Sequence, residues 1–520
     1  MQRRVRQVFT HRLIFIKVGS ENMIFPDDIT ALLERVRQAL PDDVRLYLVG
    51  GPVRDLLLGR RIHDLDFVLA GDALKVGRLT ANALQGAYYP LDAERETARV
   101  ILIHPDGHRD VLDFAAMRGD DIEADLRARD FTINAMALPL NEPRKLIDPL
   151  GGAADLHKGI LRACSSQSLQ DDPVRILRGV RLASSFGFKI TPETRSQMRT
   201  ALPELQRVSV ERLRDELFRI LGSKQAALSI RVLSVLGALQ YVLPELEALK
   251  GVTQPPPHQA DVWDHTLLVL QRLEAVFAVL AREFNEKSAE SMALAQTTYR
   301  LGRYREQISA YLDSWFSPDR TRRELLLLAA LYHDAGKPQT RTIEPDGRIR
   351  FFEHDQVGAE LVAQRARELR LSNAEVDHLE LIVRHHMRPL LLSTHEKMPS
   401  ARAVYRFFRD TGPAGVDICL LSLADVMGTY GAALPHDTWG KHVDVVRALL
   451  EAWWEHAEQQ VNPPPLVNGN DLMKALDLEP GPHIGELIEA VREAQVSGLV
   501  ENSEQALEYA RQVASRLSNV

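Results

Sequence analysis

Two aspartates separated by a single residue stand at the start of an apolar run. Asp64 and Asp66 occur in the stretch LYLVGGPVRDLLLGRRIHDLDFVLA, residues 46–70. In a strand, residues two apart point to the same side, so the two carboxylates would project together while Leu65 and Phe67 enter the core. Parallel carboxylates repel unless a cation neutralises them, and Mg²⁺ prefers carboxylate oxygens together with substrate phosphates. A pair of such ions promotes in-line phosphoryl transfer.

The residues just before these aspartates could bind phosphate. The pair Gly50-Gly51 lets backbone amides approach a phosphate closely, and the helix opened by Pro52 adds its positive end. Arg54 supplies a charged donor. An Asp-x-Asp pattern alone occurs in many surface loops, so the prediction rests on its combination with Gly-Gly-x-x-Arg-Asp. The stretch predicts a site for a nucleoside triphosphate.

A second group of candidate ligands lies in the C-terminal half. His333 and Asp334 end the apolar run LLLLAALYHDAGKP. The residues that could join them are His265, His354, His385, His386 and Asp425. This mixture of imidazoles and carboxylates suits Mn²⁺, Ni²⁺, Fe²⁺ or Mg²⁺ holding a water nucleophile. A His-Asp pair by itself is common by chance.

The elements that must position these groups differ between the two parts of the chain. Strand-like runs (VRLYLV, LDFVLA, ARVILIH and HRDVLDF) alternate with turn signals and predict a small mixed sheet with a few helices over about residues 25–160. From Pro173 onward the apolar residues recur with helical periodicity, interrupted by proline-rich linkers at 253–259 and 462–471. The expected fold class is α+β, and 520 residues predict roughly three or four domains.

Composition narrows the class of protein. With 45% hydrophobic and 26% charged residues, and with no uninterrupted run of ~18 apolar residues, the sequence predicts a soluble protein with no membrane partner. Cys164 and Cys419 are too few for a disulfide framework, so a reducing cytoplasm is expected. Residues 1–24 begin with basic residues, and charges interrupt their apolar part, which argues against a secretory signal.

The charge is distributed unevenly. The net charge is −7, but residues 171–230 contain eleven Lys or Arg against seven Asp or Glu. A basic face for nucleic acid is one interpretation, and a solvated, salt-bridged helical surface is the other.

Four segments, in order, resemble the successive motifs of bacterial tRNA nucleotidyltransferases and related poly(A) polymerases. They are LVGGPVRDLLLGRRIHDLDFVL, ADLRARDFTINAMAL, LIDPLGGAADLHKGILR and DDPVRILRGVRLASSFGF, between residues 46 and 188. Residues 200–245 resemble the family's helical neck, and the C-terminal segment from LVNGND onward resembles its tail. The resemblance implies a basic arm (1–24), a nucleotidyltransferase head (25–160), a helical neck that selects the base and binds RNA (161–250), an HD-like helical domain (251–461) and a tRNA-binding tail (462–520).

The resemblance assigns roles within the first motif. It makes Asp64 and Asp66 magnesium ligands of the catalytic site, and it makes Gly51 and Arg54 nucleotide contacts. Asp113, in the strand-like VLDF, is a candidate third catalytic acid, and a solvent-facing strand residue is an equal alternative.

The second motif is implied to contact the sugar and phosphates and to help select ribonucleotides. Its polar residues are Arg129, Asp130 and Asn134, of which the last two are spaced to share a helical face. The family usually has another arginine where Ala128 stands here, so that contact is in doubt.

The motif DDPVR is implied to read the incoming base. Asp172 and Arg175 are three residues apart on an expected helix and so would be neighbours on one face, where a simple ion pair within that helix is the alternative interpretation. A carboxylate accepts from the exocyclic amino group of C or A, and a guanidinium donates to the ring nitrogen, whereas U and G present the opposite pattern. Arg178 would serve the triphosphate. Asp171 stands where the family often has glutamate.

The extent of the reaction is read from one short segment. Relatives that build a complete CCA end have a longer flexible connection before this second motif, and here only GDDIEA separates Arg118 from Asp125. We therefore favour addition of CC from CTP, with a separate A-adding enzyme completing the end. Complete CCA addition, from CTP and ATP, is the alternative.

The histidine-rich half resembles the HD phosphohydrolase domain fused to some of these enzymes. The implied ligands are His265, His333, Asp334 and Asp425, holding Mg²⁺ or a divalent transition metal; an idle or structural site is the alternative. Competing functions for the whole chain are a poly(A) polymerase, an enzyme that is chiefly an HD phosphohydrolase acting on RNA ends, and a non-catalytic RNA-binding protein.

Overall fold

The computed structural model describes residues 27–62, 64–92, 96–104, 109–143, 145–284 and 289–517. The basic arm expected at 1–24 lies outside the described residues. The chain divides into two compact units, residues 1–208 and 209–520. This division falls inside the neck expected at 161–250, so the domain boundaries remain predictions.

The first unit contains a six-stranded mixed sheet. Its strands are β1 (Leu46–Val49), β2 (Asp64–Leu69), β3 (Ala87–Asp92), β4 (Thr97–Ile103), β5 (Arg109–Ala116) and β6 (Ala137–Pro139). Their order is β3-β4-β5-β2-β1-β6, in which β2 and β5 run parallel and the other neighbours antiparallel. The mixed sheet that the sequence predicted is confirmed, with β3 and β6 as additional strands.

The first unit also contains helices. They are α1 (Asp27–Gln38), α2 (Gly51–Leu57), α3 (Ala73–Leu84), α4 (Ile122–Arg127), α5 (Gly152–Lys158), α6 (Ser168–Asp171), α7 (Arg175–Phe186) and α8 (Pro192–Ala201). Two 3₁₀ helices (Thr132–Asn134 and Leu202–Arg207) and a short parallel pair, β7 (Ile160–Leu161) with β8 (Lys189–Ile190), complete the unit.

Strand β2 shows why its aspartates face outward. Leu65 and Phe67 are each 1% exposed, and the Phe67 ring stacks on Phe114 of β5 with centroids 5.2 Å apart. Because side chains alternate across a strand, Asp64 and Asp66 lie on the opposite face, where Asp64 is exposed and Asp66 is partly buried. The packing of the apolar residues therefore fixes the direction of both carboxylates.

The second unit is mostly helical. Its helices are α9 (Val210–Leu221), α10 (Ala226–Leu236), α11 (Leu239–Val242), α12 (Val262–Val279), α13 (Met292–Leu301), α14 (Arg305–Leu312), α15 (Arg322–Tyr332), α16 (Lys337–Thr340), α17 (His354–Glu368), α18 (Asn373–His385), α19 (Arg388–Thr394), α20 (Ala401–Thr411), α21 (Ala414–Tyr430), α22 (His436–Glu455), α23 (Gly469–Leu476), α24 (Pro482–Val496) and α25 (Ser503–Leu517). Shorter elements are the 3₁₀ helices Pro244–Leu249, Gly302–Tyr304 and Gly431–Ala433, the π-helical turn Ala457–Val461, and the two-stranded pairs β9 (Trp315–Ser317) with β10 (Arg320–Thr321) and β11 (Arg341–Ile343) with β12 (Ile349–Phe351).

One helical segment has the length and apolarity of a membrane span. Residues Ala414–Ala433, which include α21, pass that test, but 72% of the apolar window is buried inside the protein. Two acids, Asp417 and Asp425, interrupt the segment and are themselves buried. The burial identifies α21 as a core helix of this unit.

Helices α23–α25 have a small core of their own, and α24 also contacts α20 through charged residues. The core includes Leu472, Leu487 and Val491. Glu493 of α24 accepts two hydrogen bonds from Arg406 of α20, at 2.5 and 2.7 Å. Arg402 and Arg409 of α20 lie 3.1 and 3.5 Å from the same carboxylate. The tail is thus connected to α20 by a shared ion-pair network.

Candidate functional site

An acidic cluster lies where β2 and β5 run side by side. Asp66 and Asp113 are partners in the parallel register, and Asp64 lies two residues before Asp66 on the same face of β2. Asp113 is held by Arg99 of β4, whose Nε and Nη2 each donate to it at 2.8 Å. Asp113 is therefore not simply the solvent-facing residue of the alternative interpretation, since it is an ion-paired neighbour of Asp66.

Asp66 bears the electrostatic strain of this cluster. Burial, followed by the negative charges of Asp113 and Asp64, raises its pKa from 3.8 to about 6, against the opposing effect of Arg129. A bound cation would remove that strain, and an all-oxygen donor set suits Mg²⁺. The residues therefore fit the metal that the sequence predicts. The three acids do not converge within 4.8 Å of one another among the described residues.

Gly50 makes room for this cluster at the start of α2. Its φ of +75° favours glycine, and a Cβ there would lie 3.2 Å from Nη1 of Arg129 and 3.6 Å from Oδ2 of Asp66. Gly51 follows as the first helical residue. A side chain at position 50 would crowd the acids and the arginine at once.

Arg54 connects α2 to the second motif. Its Nη1 donates to Oδ1 of Asn134 at 2.7 Å, its Nε donates to Asp55, and its guanidinium lies over the Phe186 ring. Nδ2 of Asn134 in turn donates to Asp130 at 3.2 Å. A line of polar side chains therefore runs from α2 to Asp130.

Asp130 is buried and fully engaged. It accepts from the backbone N–H of Phe131 at 2.7 Å and pairs with Nε of Arg178 at 2.9 Å. Burial alone would raise its pKa, but Arg178, the Phe131 N–H and Asn134 outweigh burial and hold it below the ordinary value. Asp130 and Asn134 do not share an α-helical face, because Asn134 ends a three-residue 3₁₀ turn. Their contact is made across that turn.

Arg129 is anchored by a residue that the sequence analysis did not select. Its Nε donates to Oδ2 of Asp125 at 3.0 Å, and Oδ1 of Asp125 accepts from the backbone N–H of Arg118 at 3.1 Å. Asp121 caps α4 by accepting from Ala124. The short connection between β5 and α4 is thus held by side-chain hydrogen bonds at both ends.

The DDPVR motif departs from the expected geometry. Helix α6 ends at Asp171 and α7 begins at Arg175, so Asp172 lies between two helices with φ −144° and ψ 89°. The expectation that Asp172 and Arg175 share one helix is wrong, because Pro173 disfavours helical backbone at the residue before it. The pair is still close, with Nε of Arg175 3.8 Å from Oδ2 of Asp172.

Arg175 also connects the base-reading motif to the second motif. Its Nη1 donates to the backbone oxygens of Arg129 and Ser168 at 3.2 and 3.1 Å, and its Nη2 donates to that of Ala128 at 3.1 Å. The structure thus brings Asp64, Asp66, Asp113 and Arg129 together, and joins Arg54, Asn134, Asp130 and Arg178 in one chain of contacts. The sequence analysis did not identify Arg99, Asp125 or Ser168 as site residues. The alternation of side chains along β4 is the one signal that could have indicated Arg99.

A second cluster of candidate ligands, all buried except the partly buried His354, lies in the helical unit. Its members are His265 on α12, His333 and Asp334 after α15, His354 at the start of α17, His386 after α18 and Asp425 on α21. Nε2 of His265 lies 3.1 Å from Asp425 and 3.5 Å from Asp334, and Nε2 of His333 lies 3.3 Å from Asp334. The four predicted ligands are brought together, and His354 and His386 join them.

The imidazoles of this cluster are oriented by backbone carbonyls. Nδ1 of His333, His354 and His386 lies 2.8, 2.8 and 2.7 Å from the carbonyl oxygen three residues earlier. A proton on Nδ1 donates there and leaves the Nε2 lone pair for a metal. Burial and then the neighbouring histidines lower the pKa of His386 to about 4, which keeps it neutral as a ligand must be.

A cavity of about 200 Å³ opens beside this cluster. Asp334, His354 and Asp425 contribute polar atoms to it, and Met387 and Tyr430 are among its apolar walls. Lys337 also lines the cavity and donates to Oδ2 of Asp334 at 2.6 Å. The cluster therefore has an adjoining space with a cationic side chain.

Family comparisons cover most of the chain. Residues 46–162 match the family described as poly A polymerase head domain, and residues 187–250 match a probable RNA and SrmB-binding site of polymerase A. Residues 262–427 match the HD domain, and residues 458–510 match tRNA nucleotidyltransferase domain 2. The acidic cluster falls within the match to the poly A polymerase head domain, and the histidine cluster falls within the match to the HD domain.

Curated relatives are similar along nearly their whole length. An A-adding tRNA nucleotidyltransferase of Deinococcus radiodurans is 35% identical, with 88% of this chain and 93% of the relative covered. CC-adding tRNA nucleotidyltransferases of Thermus thermophilus and Geobacter sulfurreducens are each 32% identical, with 88% and 89% of this chain and 91% and 90% of the relatives covered.

Solved structures support the fold. A CCA-adding enzyme in complex with ATP has a TM-score of 0.60 at 22% identity, covering 95% of this chain and 97% of the other. The Thermotoga maritima CCA-adding enzyme in complex with tRNA has a TM-score of 0.55 at 22% identity, with the same coverage.

Proposed function

Because this chain belongs to the bacterial tRNA nucleotidyltransferases, with a poly(A) polymerase-type head and an HD domain, we propose that it adds CMP residues to the 3′ end of tRNA. The tRNA 3′ hydroxyl would attack the α-phosphate of CTP in line, forming a phosphodiester, releasing pyrophosphate and passing its proton to solvent. We further infer that the enzyme works in the cytoplasm, where CTP and tRNA are available.

The acidic cluster on β2 and β5 carries this proposal. A raised pKa of about 6 at Asp66, with Asp64 and Asp113 beside it, marks a place where a divalent cation would relieve repulsion. Mg²⁺ bound there would supply Lewis acidity to the reacting phosphate and to the leaving pyrophosphate. Gly50 leaves space beside Asp66, and Arg129 adds positive charge at the same place.

The chain's basic side chains would hold the triphosphate. Arg54 and Arg178 are both oriented by acceptors of the second motif, since Arg54 donates to Asn134 and Arg178 pairs with Asp130. Pre-oriented guanidinium groups bind phosphate with less loss of side-chain entropy. Asn134 and Asp130 would then stand near the sugar, as the second motif implies.

Base selection would rest on Asp172 and Arg175. For Arg175 to donate to a ring nitrogen it must exchange some of its bonds to the carbonyl oxygens of Ala128 and Arg129 for bonds to the base. Asp172 would accept from the exocyclic amino group. A uracil or guanine would place its ring N–H against the guanidinium donors of Arg175. Such a mismatch costs on the order of kilocalories in a buried site.

We favour CC addition over complete CCA addition. The support is the short connection between β5 and α4, which is held by Asp121 and Asp125 rather than forming a long loop. Relatives of comparable similarity include CC-adding, A-adding and multifunctional CCA proteins, so similarity alone does not choose among them. A separate A-adding enzyme would complete the end.

The test presents the purified protein with tRNAs that end before C, after C and after CC, each with CTP or ATP alone. CC addition predicts incorporation of CMP into the first two and negligible AMP on the third. Efficient AMP addition to the tRNA ending in CC would refute the CC-only proposal, and AMP addition to that tRNA alone would indicate an A-adding enzyme. Long AMP tracts on unrelated RNAs would indicate a poly(A) polymerase.

Matched variants separate catalysis from folding. Asp66→Asn is expected to lower CMP incorporation at least a hundredfold, whereas Asp110→Asn, on the same strand as Asp113, should leave it within twofold. Binding of tRNA should weaken steeply with salt if the basic helices from residue 171 onward and the tail follow its backbone. Wild-type-like incorporation by Asp66→Asn would overturn the proposal.

A second candidate function is favoured by the histidine cluster. The buried imidazoles and carboxylates, with Lys337 beside a cavity, suit metal-dependent hydrolysis of a phosphate ester. Water would supply the oxygen bonded to phosphorus, the ester bond would break, and the alcohol would leave protonated. Asp334→Ala should abolish this activity and leave CMP addition intact. If Asp334→Ala instead removed the main activity of the chain while Asp64→Asn did not, the protein would be chiefly a phosphohydrolase.

A further inference from the structure

We propose that one face of the six-stranded sheet binds the unpaired 3′ end of the tRNA, with the Tyr89 ring stacked on a base upstream of the reacting terminus. This inference rests on the proposed transfer of CMP to tRNA, and it names the surface that receives the acceptor strand. Tyr89 lies on β3, at the edge of the sheet, and 49% of it is exposed. A single exposed aromatic residue is ordinary, so its neighbours decide whether it belongs to a site.

The two faces of β3, β4 and β5 are covered unequally. Helix α3 packs on one face, where Arg78 lies over the Tyr88 ring, 3.8 Å from its centre. The strand residues buried on that face include Val100, Leu102 and Phe114. The opposite face, which we call the open face, carries residues that are partly or fully exposed: Tyr89, Leu91, Arg99, Ile101, Ile103 and Val111. The neighbouring tyrosines 88 and 89 thus divide between the two faces, as alternation along a strand requires.

The strand register places Tyr89 in line with the catalytic acids. Tyr89 is opposite Arg99 of β4, and Arg99 is opposite Asp113 of β5. Asp113 is in turn in register with Asp66 of β2. Residues opposite each other on neighbouring strands share a face, so this row lies on the open face. The row spans three strand spacings, about 14 Å. Because that is several times the ~3.4 Å rise of a stacked strand, the ring would receive a base upstream of the reacting nucleotide.

A cavity of about 270 Å³ joins the open face to the acids. Leu91 lines it from β3, and Asp66 and Asp113 line it from β2 and β5. Arg99 donates to Asp113 through Nε and Nη2, and its side chain is 41% exposed. Its Nη1 makes neither of these bonds and would donate to a phosphate oxygen. An RNA strand that reacts beside Asp66 would therefore pass over this cavity and Arg99 before it reaches Tyr89.

Single-stranded nucleic acid is the partner that this combination of side chains fits. Stacking of a base on an aromatic ring tolerates any sequence, because every base has a π-face, and a neighbouring cation satisfies the backbone phosphates. Open sheet faces that carry aromatic residues bind unpaired RNA in this way. A second copy of this chain would cover the apolar residues, but it would not account for the alignment of Tyr89 with Asp66.

Ile103 provides a matched control on the same face. It is 68% exposed and lies on β4, four residues along the strand from Arg99. That separation puts it about 14 Å from the row that contains Tyr89. Tyr89→Thr and Ile103→Thr each replace an exposed side chain by one that suits a strand. Only the first change removes the proposed stacking ring.

The experiment measures binding of the full chain to fluorescently labelled tRNAs that end after C and after CC, without CTP and at one salt concentration. We expect Tyr89→Thr to weaken binding about tenfold and Ile103→Thr to change it by less than about twofold. Tyr89→Phe keeps the ring and should restore tight binding. Each unpaired base before the terminus is also replaced in turn by an abasic residue. At the stacked position the wild type should lose about tenfold in affinity, whereas Tyr89→Thr should lose little more than it has already lost.

The outcomes separate this inference from the function on which it rests. Equal effects of Tyr89→Thr and Ile103→Thr would overturn the stacking assignment, and so would abasic losses of the same size in the wild type and Tyr89→Thr at every position. A change in oligomeric state with unchanged tRNA binding would also overturn it and would indicate that a second copy covers the open face. A chain that binds tRNA through Tyr89 but adds no nucleotide would keep this inference and refute the proposed CMP transfer.

Discussion

Replacing Asp66 should stabilise the metal-free head while it destroys catalysis. The pKa of Asp66 is about 6 in the folded chain, against an ordinary value of 3.8, so the folded state binds this proton more tightly than the unfolded state. A raised carboxyl pKa destabilises the fold at neutral pH, and the penalty shrinks as the pH falls below about 6. Linkage gives ~3 kcal/mol at pH 7.5, ~1.5 kcal/mol at pH 5 and ~0.5 kcal/mol at pH 4.

Asp66→Asn removes that penalty and should raise local stability by ~1–3 kcal/mol at pH 7.5, since relaxation of the site reduces the full value. The assay is hydrogen exchange of peptides from β2 and β5, followed by mass spectrometry in EDTA and converted to protection free energies. Asp64→Asn serves as the control, because Asp64 is exposed and its loss leaves Asp66 buried.

Two further results are expected from this measurement. The gain must diminish at pH 4–5, where the wild-type carboxyl is protonated in the folded chain. It must also disappear when Mg²⁺ saturates the wild type, because the bound cation then compensates the repulsion. An Asp66→Asn head that is no more stable than wild type at pH 7.5 in EDTA, or a gain that is equal at pH 4 and pH 7.5, would refute the account of the acidic cluster.

Three other substitutions test separate parts of the structure. Arg99→Ala removes the cation that pairs with Asp113, and should lower the Mg²⁺ concentration for half-maximal CMP incorporation about threefold, as expected for a partly exposed pair; an increase would contradict that pairing. Burial raises the pKa of Glu274 to about 7, so Glu274→Gln should gain stability progressively from pH 4.5 to 7 and no further above, measured by tryptophan fluorescence on heating; a pH-independent effect would argue against it. Glu375→Gln breaks a buried pair with Arg320 and should lower the free energy of unfolding by ~3–5 kcal/mol in urea, and a loss under 1 kcal/mol would show that the pair is dispensable.

The sequence predicted correctly the features that depend only on residues close together in the chain. The alternation of LDLDF places Asp64 and Asp66 on one face because the period of a strand is two, and Leu65 and Phe67 bury the other face. The parallel pairing of β2 with β5 joins segments distant in the chain, so Asp113 could be proposed only by resemblance. The ion pair of Asp113 with Arg99 depends on a further strand and could not be inferred.

Where prediction from the sequence was wrong or incomplete, the cause is also physical. Helical spacing suggested one helix through Asp172 and Arg175, but Pro173 restricts the residue before it to extended backbone, and α6 ends there. In the histidine cluster, periodicity places each ligand on its own helix and says nothing about which helices meet. The sequence therefore identified His354 and His386 only as residues of a suitable type. Their position beside Asp334 depends on the packing of α15, α17 and α18.

The shared carboxylate of Glu493 bears on how this protein can be shortened. Removing α23–α25 to isolate the preceding helices would leave Arg402, Arg406 and Arg409 without that counter-ion on one face of α20. A shortened chain would thus expose three guanidinium groups in a row, of which only Arg409 keeps an acidic partner among the described residues, Asp410, and this positive charge would attract a polyanion. Affinity for RNA that appears only in the shortened chain would come from this exposed positive charge. Truncations that are meant to map the tRNA-binding surface should therefore carry Arg→Gln changes at these positions.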